Sequence, residues 1–339
     1  MVNGNAVLAV IILAATFVAT LFLVKGWIHV ARAFGLVGKD MNKFDKRKVA
    51  EAGGIAVVFS VVFGLLFLVF FKTFLLKSET HFIEILAIAM TMLLASFIGF
   101  IDDILGWKKG LKQWQKPLLT IPIALPLMVL NIGHSTINVP ILGIINFGIL
   151  YPLIIVPIAI VGAANGYNLL AGYNGLEAGM GAIILSALGV VAFISGKSWL
   201  ALVAFIAVFA LLAFLLFNWY PARIFPGDSL TYSIGALIAV IAILGDMEKL
   251  ALFLFAPYFL DAILYFKAKV LDKAGDVQAF GKPNKDNSLE LPYSKIYDTT
   301  HVAMATLKKL KKRVFEKTVV ASILAFELFW ATLIILLIG

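Results

Sequence analysis

The runs Val7–Val24 and Ile55–Phe71 contain no charged residue, and this feature limits the fold more than any other. A helix needs about 20 apolar residues to cross the hydrocarbon core of a bilayer. Strands of a transmembrane β-barrel instead alternate over segments of about ten residues, so uninterrupted runs select helices. Composition agrees: 62% of residues are apolar and 14% charged, where a soluble domain carries about 25% charged. Disorder, a collagen-like fibre and a soluble enzyme are excluded. The pattern predicts an all-α polytopic membrane protein with ten transmembrane helices, at 6–30, 54–76, 83–101, 117–132, 149–164, 178–196, 199–217, 229–246, 249–270 and 318–338. The first run lacks a basic segment before it and outruns the apolar region of a signal peptide, so it reads as a retained span. No cysteine is present, which removes disulfides, thiol catalysis and cysteine-bound metals.

Lysine and arginine gather on the cytoplasmic side of membrane proteins. With these spans, 24 of the 28 basic residues fall in one set of loops, and only Lys72, Lys77, Lys197 and Lys249 in the other. The basic loops, about 31–53, 102–116, 165–177, 218–228 and 271–317, are expected to be cytoplasmic. They belong to a single integral membrane domain, 1–339, with both termini on the non-cytoplasmic side. The net charge of +9 therefore serves orientation rather than nucleic acid. Residues 301–317 read as a basic amphipathic helix on anionic lipid.

Seven polar residues stand out against this background. Asp102 and Asp103 end the third span, Asn165 and Asn168 the fifth, Asn174 and Glu177 precede the sixth, and Asp228 opens the eighth. One carboxylate at a span end is ordinarily interfacial. Seven such residues on the side expected to be cytoplasmic, with lysines close by, predict a polar cleft able to bind metal. Adjacent Asp102 and Asp103 can hold a divalent cation, or leave one carboxylate to accept a proton while the other engages metal. The segment 165–177 carries three carboxamides among glycines that let backbone approach a ligand, although a plain turn between spans has the same composition. Oxygen donors without cysteine suit Mg²⁺, with Mn²⁺ as the substitute cation, held by one or two carboxylates plus substrate phosphates. Phosphoryl transfer is chemistry of that kind, because positioning and charge neutralisation supply most of its catalysis. No GxxxxGK[ST] loop occurs, which disfavours an ordinary ATPase.

These residues resemble a known family. Asp102-Asp103, the segment 165–177, the run Asn218-Trp-Tyr-Pro-Ala-Arg-Ile-Phe-Pro-Gly-Asp228, Pro292-Tyr-Ser-Lys295, Gly38–Lys43 and Ala50-Glu51-Ala-Gly-Gly54 are together similar to the polyprenyl-phosphate N-acetylhexosamine-1-phosphate transferases. Within these the likeness is greatest to the archaeal and eukaryotic branch that uses UDP-GlcNAc and dolichyl phosphate, and it covers almost the whole chain. The resemblance implies transfer of GlcNAc-1-phosphate to dolichyl or another polyprenyl phosphate with release of UMP, at a cytoplasmic site in an archaeal cell membrane. It implies Asn168 and Asp228 as Mg²⁺ ligands and Asp102 and Asp103 as the catalytic acidic pair, Asp102 orienting or deprotonating the nucleophile. Lys116 matches a phosphate-binding lysine. The stretch 106–115 is some four residues longer than in the eukaryotic pattern, which makes Lys112 an alternative. Asn174 matches a uracil-reading carboxamide, Asn165 a neighbour of phosphate or metal, Glu51 a wall on the nucleotide side, and Arg223 a substrate contact. Partners are then the UDP-sugar, the lipid phosphate and the bilayer, with no nucleic acid; a homodimer is compatible.

One departure bears on the sugar. Where the eukaryotic members carry an Arg/His-rich motif, residues 275–288 have no Arg or His, and Lys282, Asn284, Lys285 and Asn287 are the replacements available. Lysine lacks the bidentate fork of arginine, so another UDP-sugar donor, such as UDP-MurNAc-pentapeptide, stays open. A transporter or flippase would place its polar groups near mid-membrane between repeated halves. Asp261, after Pro257, lies inside a span, and it suits either a lipid-phosphate groove or a structural hydrogen bond. His29 and His134 stand singly, without metal spacing.

Overall fold

The structure is a computed structural model that describes residues 2–109, 115–131, 135–139 and 143–338. Lys112 and His134 lie outside these residues. The chain runs α1 (Val2–Ala33), the hairpin β1 (Val37–Lys39) and β2 (Lys48–Ala50), α2 (Gly54–Phe74) and α3 (Phe82–Lys109). Next come α4 (Gln115–Thr120) and α5 (Leu125–Val129), the hairpin β3 (Thr136–Val139) and β4 (Gly143–Asn146), and α6 (Val156–Tyr167). Then follow α7 (Leu176–Ile194), α8 (Ser198–Asn218), α9 (Asp228–Gly245), α10 (Glu248–Leu254) and α11 (Ala256–Phe266). The hairpin β5 (Lys282–Pro283) and β6 (Leu289–Glu290) leads to α12 (Thr299–Leu310) and α13 (Glu316–Ile338).

Among the described residues seven helices are long and apolar enough to cross a membrane, or eight when α10 and the helix beginning at Ala256 count as one span bent by 57°. Pro257 sits in the first turn after the bend, where a missing N–H and fixed φ start a helix readily but do not continue one. The expected spans at 117–132 and 149–164 correspond to shorter apolar helices, Gln115–Val129 and Tyr151–Tyr167. Proline accounts for the irregularity of both. Pro122 and Pro126 border a 3₁₀ turn at Ile121–Ala124, and Pro152 lies in a π turn that leads into α6.

Helix α9 forms the centre of the bundle: 89% of its apolar window is buried, against 22% for α1. Lipid tails are as apolar as leucine, so helices in a bilayer associate through close packing rather than water exclusion. The sequence of α9 suits this, with Ser229, Ser233, Gly235, Ala236, Ala239, Ala242 and Gly245 on a helix enclosed by α2, α3, α6, α7 and α8. Gly54 shows how tight the fit is. A Cβ there would lie 2.1 Å from the backbone nitrogen of Leu230, so only glycine lets α2 meet the first turn of α9.

The connections expected to be cytoplasmic meet at one end of the bundle. Phe225 N–H donates to Ala50 O (2.7 Å), Gly53 N–H to Phe225 O (2.9 Å) and Gly54 N–H to Pro226 O (2.8 Å), which laces the chain after β2 to the turn before α9. The expected helix over 301–317 is corrected in extent. Helix α12 stops at Leu310, and Leu289 N–H takes Val314 O at 2.7 Å beside a bridge between Ser288 and Phe315, drawing 314–315 into extended pairing. The like charges Lys308, Lys309, Lys311, Lys312 and Arg313 also disfavour one continuous helical turn there.

Candidate active site

The site forms where α3 ends and α9 begins. Gly227 adopts φ 71°, a left-handed conformation that brings the chain into α9 with its first N–H groups directed at the end of α3. Asp103 answers them: its Oδ1 accepts from Asp228 N–H (2.7 Å) and its Oδ2 from Ser229 N–H (3.2 Å). A carboxylate at a helix N-terminus satisfies unpaired donors and opposes the positive end of the dipole. A side chain at Gly227 would strike Asp103 Oδ2 at 2.4 Å, so glycine is required for this cap as well as for the turn.

Lys116 supplies the positive charge. Its Nζ lies 2.6 Å from Asp102 Oδ2 and 2.9 Å from Asp228 Oδ2, bridging the two carboxylates. The three side chains are 16%, 6% and 23% exposed, so the cluster is partly sheltered but open on one side. Asn168 closes α6, and its Oδ1 accepts from Thr231 Oγ1 (2.8 Å), one helical turn beyond Asp228. Asn165 Nδ2 donates to Thr120 Oγ1 (2.8 Å) and Val161 O (2.9 Å), and Thr120 Oγ1 donates to Lys116 O (3.0 Å). Asn165 thus braces the helix that carries the lysine. Glu51 is half-buried; burial, then the negative charge of Asp228, push its carboxyl above the ordinary glutamate value. A carboxyl so placed suits a hydroxyl or imide N–H better than a phosphate.

The remaining sequence candidates lie elsewhere. Asn174 is 2% exposed, with its N–H on Glu316 Oε1 (2.7 Å) and its Nδ2 on Asp40 Oδ2 (3.1 Å). Glu177 is buried and structural in its contacts: its Oε1 accepts from Gly172 N–H (2.7 Å), and its backbone carbonyl accepts from Tyr167 Oη. Arg223 is exposed with its guanidinium 5.4 Å from the Phe217 ring centre. Lys282 and Lys285 are exposed. Asp261 is 4% exposed and accepts from Thr299 N–H (2.7 Å) at the start of α12; of the two roles open to it, this contact is the structural one. His29 is exposed on α1.

The stretch 275–288 is docked beside the segment 165–177. Asn42, buried, takes Gly281 N–H on Oδ1 (3.0 Å) and donates from Nδ2 to Gly172 O (3.1 Å). Ala279 O accepts from both Tyr173 Oη (3.1 Å) and Thr300 Oγ1 (2.9 Å). Sequence reasoning missed Asn42, Thr120, Thr231 and the buried group around Lys43. Gly38–Lys43 was visible as a motif, but nothing in a lone chain marks which of its polar residues turn inward.

Among the described residues no group of three or more His, Asp or Glu side chains makes a preformed metal cage. The donors at the site are nevertheless oxygens, the kind a hard cation takes. Asp102 and Asp228 meet at Lys116, Asp103 lies against the Asp228 N–H, and the single lysine offsets one of the negative charges; Mg²⁺ commonly completes its shell with water and substrate phosphate.

The model of glycosyl transferase family 4 matches residues 85–246, the stretch from α3 to the end of α9 that contains the whole cluster. A Saccharolobus solfataricus protein provisionally named UDP-N-acetylglucosamine–dolichyl-phosphate N-acetylglucosaminephosphotransferase is 38% identical over 282 residues, 82% of each chain. A Streptococcus thermophilus phospho-N-acetylmuramoyl-pentapeptide-transferase is 31% identical over 268 residues, 75% of this chain and 78% of its own. The Dictyostelium discoideum UDP-N-acetylglucosamine–dolichyl-phosphate N-acetylglucosaminephosphotransferase is 29% identical over 264 residues, 67% of this chain and 64% of its own. With such identity sustained across four-fifths of both chains in the Saccharolobus pair, this chain belongs to glycosyl transferase family 4.

Proposed function

We propose that the protein transfers GlcNAc-1-phosphate from UDP-GlcNAc to dolichyl phosphate, giving dolichyl-diphospho-GlcNAc and UMP. The observation that carries the reading is the bridge of Lys116 between Asp102 and Asp228 at the mouth of α9, in a chain whose relatives are named for this transfer. An oxygen of the lipid phosphate attacks the phosphorus that bears the sugar, the bond from that phosphorus to the bridging oxygen breaks, and the oxygen leaves with UMP. A phosphate monoester has a second pKa near 6, so the nucleophile is already anionic at neutral pH and needs no strong base. Asp102 then serves to aim Lys116, and Asp103 to fix the α9 N-terminus that carries Asp228. Mg²⁺, or Mn²⁺ in its place, would be held by Asp228 and Asn168 beside the acidic pair and would neutralise the diphosphate. Lys116 supplies further positive charge to the phosphate oxygens.

The full ten-span reading also belongs to this proposal. It is supported by seven long helices, the bent pair and the two shorter apolar helices. The 24-to-4 partition of basic residues supports a cytoplasmic site and non-cytoplasmic termini, in the archaeal cell membrane.

The test is UMP release by purified protein with dolichyl phosphate, comparing UDP-GlcNAc with UDP-GalNAc, UDP-glucose and UDP-MurNAc-pentapeptide, with and without chelator. Release that needs both lipid and Mg²⁺ and is fastest with UDP-GlcNAc is expected. Fastest release with the muramoyl donor would move the chain toward the Streptococcus relative, and no release with any donor would remove the transferase reading. In the same assay, replacing both Lys282 and Lys285 by alanine is expected to raise the donor KM by about 3- to 10-fold, the effect of losing one or two exposed charge contacts. An unchanged KM would remove the 275–288 stretch from donor binding.

A further inference from the structure

Lys43 is the only buried lysine among the described residues, at 0% exposure. Its Nζ pairs with Asp40 Oδ2 (3.1 Å) and with Glu316 Oε2, and stands 4.3 Å from the centre of the Tyr220 ring. Asn174 completes the group, its N–H on Glu316 and its side-chain amide on Asp40. Four separate stretches of chain meet here: the β1–β2 connection, the α6–α7 segment, the turn between α8 and α9, and the first residue of α13.

A buried ion pair is weak evidence for stability, because desolvation cancels much of the attraction; what it supplies well is a specified geometry. The geometry specified here is that of Asn174 and its neighbours. Asn174 is fixed at main chain and side chain together, and Asn42, one residue before Lys43, holds Gly172 O. Six residues upstream on the same segment, Asn168 is tied to Thr231 of α9. Without the ammonium, Asp40 and Glu316 would lose the shared cation that ties the β1–β2 connection to the start of α13 across Asn174, and the segment would lose its fixed distance from Asp228.

We propose that Lys43 is a positioning residue for the nucleotide donor, acting through Asp40, Glu316 and Asn174 to set segment 172–177 against the catalytic end of α9. The inference rests on the reading that segment 165–177 binds the donor. It separates the two substrates: donor affinity depends on the ion group, and lipid-phosphate affinity does not.

The experiment compares wild type, Lys43→Met and the double variant Lys43→Met/Glu316→Gln. The double variant keeps the net charge of the group, so it carries the test if the single variant fails to fold. Donor KM and dolichyl-phosphate KM are measured by UMP release, and UDP binding is measured directly by calorimetry. A folded variant is expected to show donor KM and UDP dissociation constant raised about tenfold, a misplacement effect, with lipid KM within about twofold of wild type. A merely structural role would lower the yield of folded protein and leave the KM of the surviving fraction unchanged. Wild-type UDP affinity in the folded double variant would overturn the proposal, as would donor and lipid KM rising together. If wild type binds UDP but releases no UMP with any donor, the functional reading fails while the binding comparison still decides the role of Lys43.

Discussion

Replacing Asp228 by alanine is expected to lower UMP release by about a hundred- to a thousandfold, the scale of losing one preorganised electrostatic group, while leaving a folded membrane protein. Asp228 is the first residue of α9, and its carboxylate shares Lys116 with Asp102. Its removal deletes the oxygen proposed to face the metal and the diphosphate, yet the Asp102–Lys116 pair persists and the α9 N-terminus keeps its cap from Asp103. An acidic residue in the first turn of a helix contributes about 0.3–1 kcal/mol, so the cost in stability is small. The measurement pairs turnover with the unfolding temperature of the same preparation. Near-normal turnover would remove Asp228 from the site. A large fall in unfolding temperature would assign the lost activity to folding instead.

The second large effect is expected from Gly54→Ala. The new Cβ would lie 2.1 Å from Leu230 N and 2.6 Å from both Leu230 Cα and Ser229 C. All three are backbone atoms, which cannot swing aside as a side chain can. Overpacking typically costs about 1–3 kcal/mol, and the displaced turn is the one that presents Asp228, so a loss of activity of about a hundredfold accompanies it. Gly162, in α6, is the control: its added Cβ meets nothing within 4 Å, and Gly162→Ala is expected to be neutral or slightly stabilising through helix propensity. Thermal unfolding and size-exclusion profiles of the two variants decide the matter; similar behaviour would remove the α2–α9 contact as a constraint.

The helices were readable because a bilayer demands long uncharged runs, and α2, α7, α8 and α13 answer that demand almost residue for residue. The meeting of Asp102, Asp103 and Asp228 was readable too, since polar groups at the ends of apolar spans have few places to go. Proline-broken segments were harder: 117–132 counts as apolar, but its prolines divide it into short pieces. Polar residues that turn inward were hardest. Glu177 and Asn174 look like ligands in a glycine-rich segment, and Lys43 looks like one more orienting charge. Their burial depends on partners 134 to 273 residues away or on a local turn, and no local pattern encodes such pairings.

The stretch 275–288 is moored by Gly281 N–H and Ala279 O, main-chain groups that nearly every residue possesses. Side chains add to the mooring at Asn287, which accepts from Phe44 N–H (2.9 Å), and at Asp286, which pairs with Arg313 (3.2 Å). None of these anchors uses the side chain of Gln278, Lys282 or Lys285, so exchanges at those three positions leave the loop moored, and its outer surface can be rebuilt by mutation while the bundle keeps its packing.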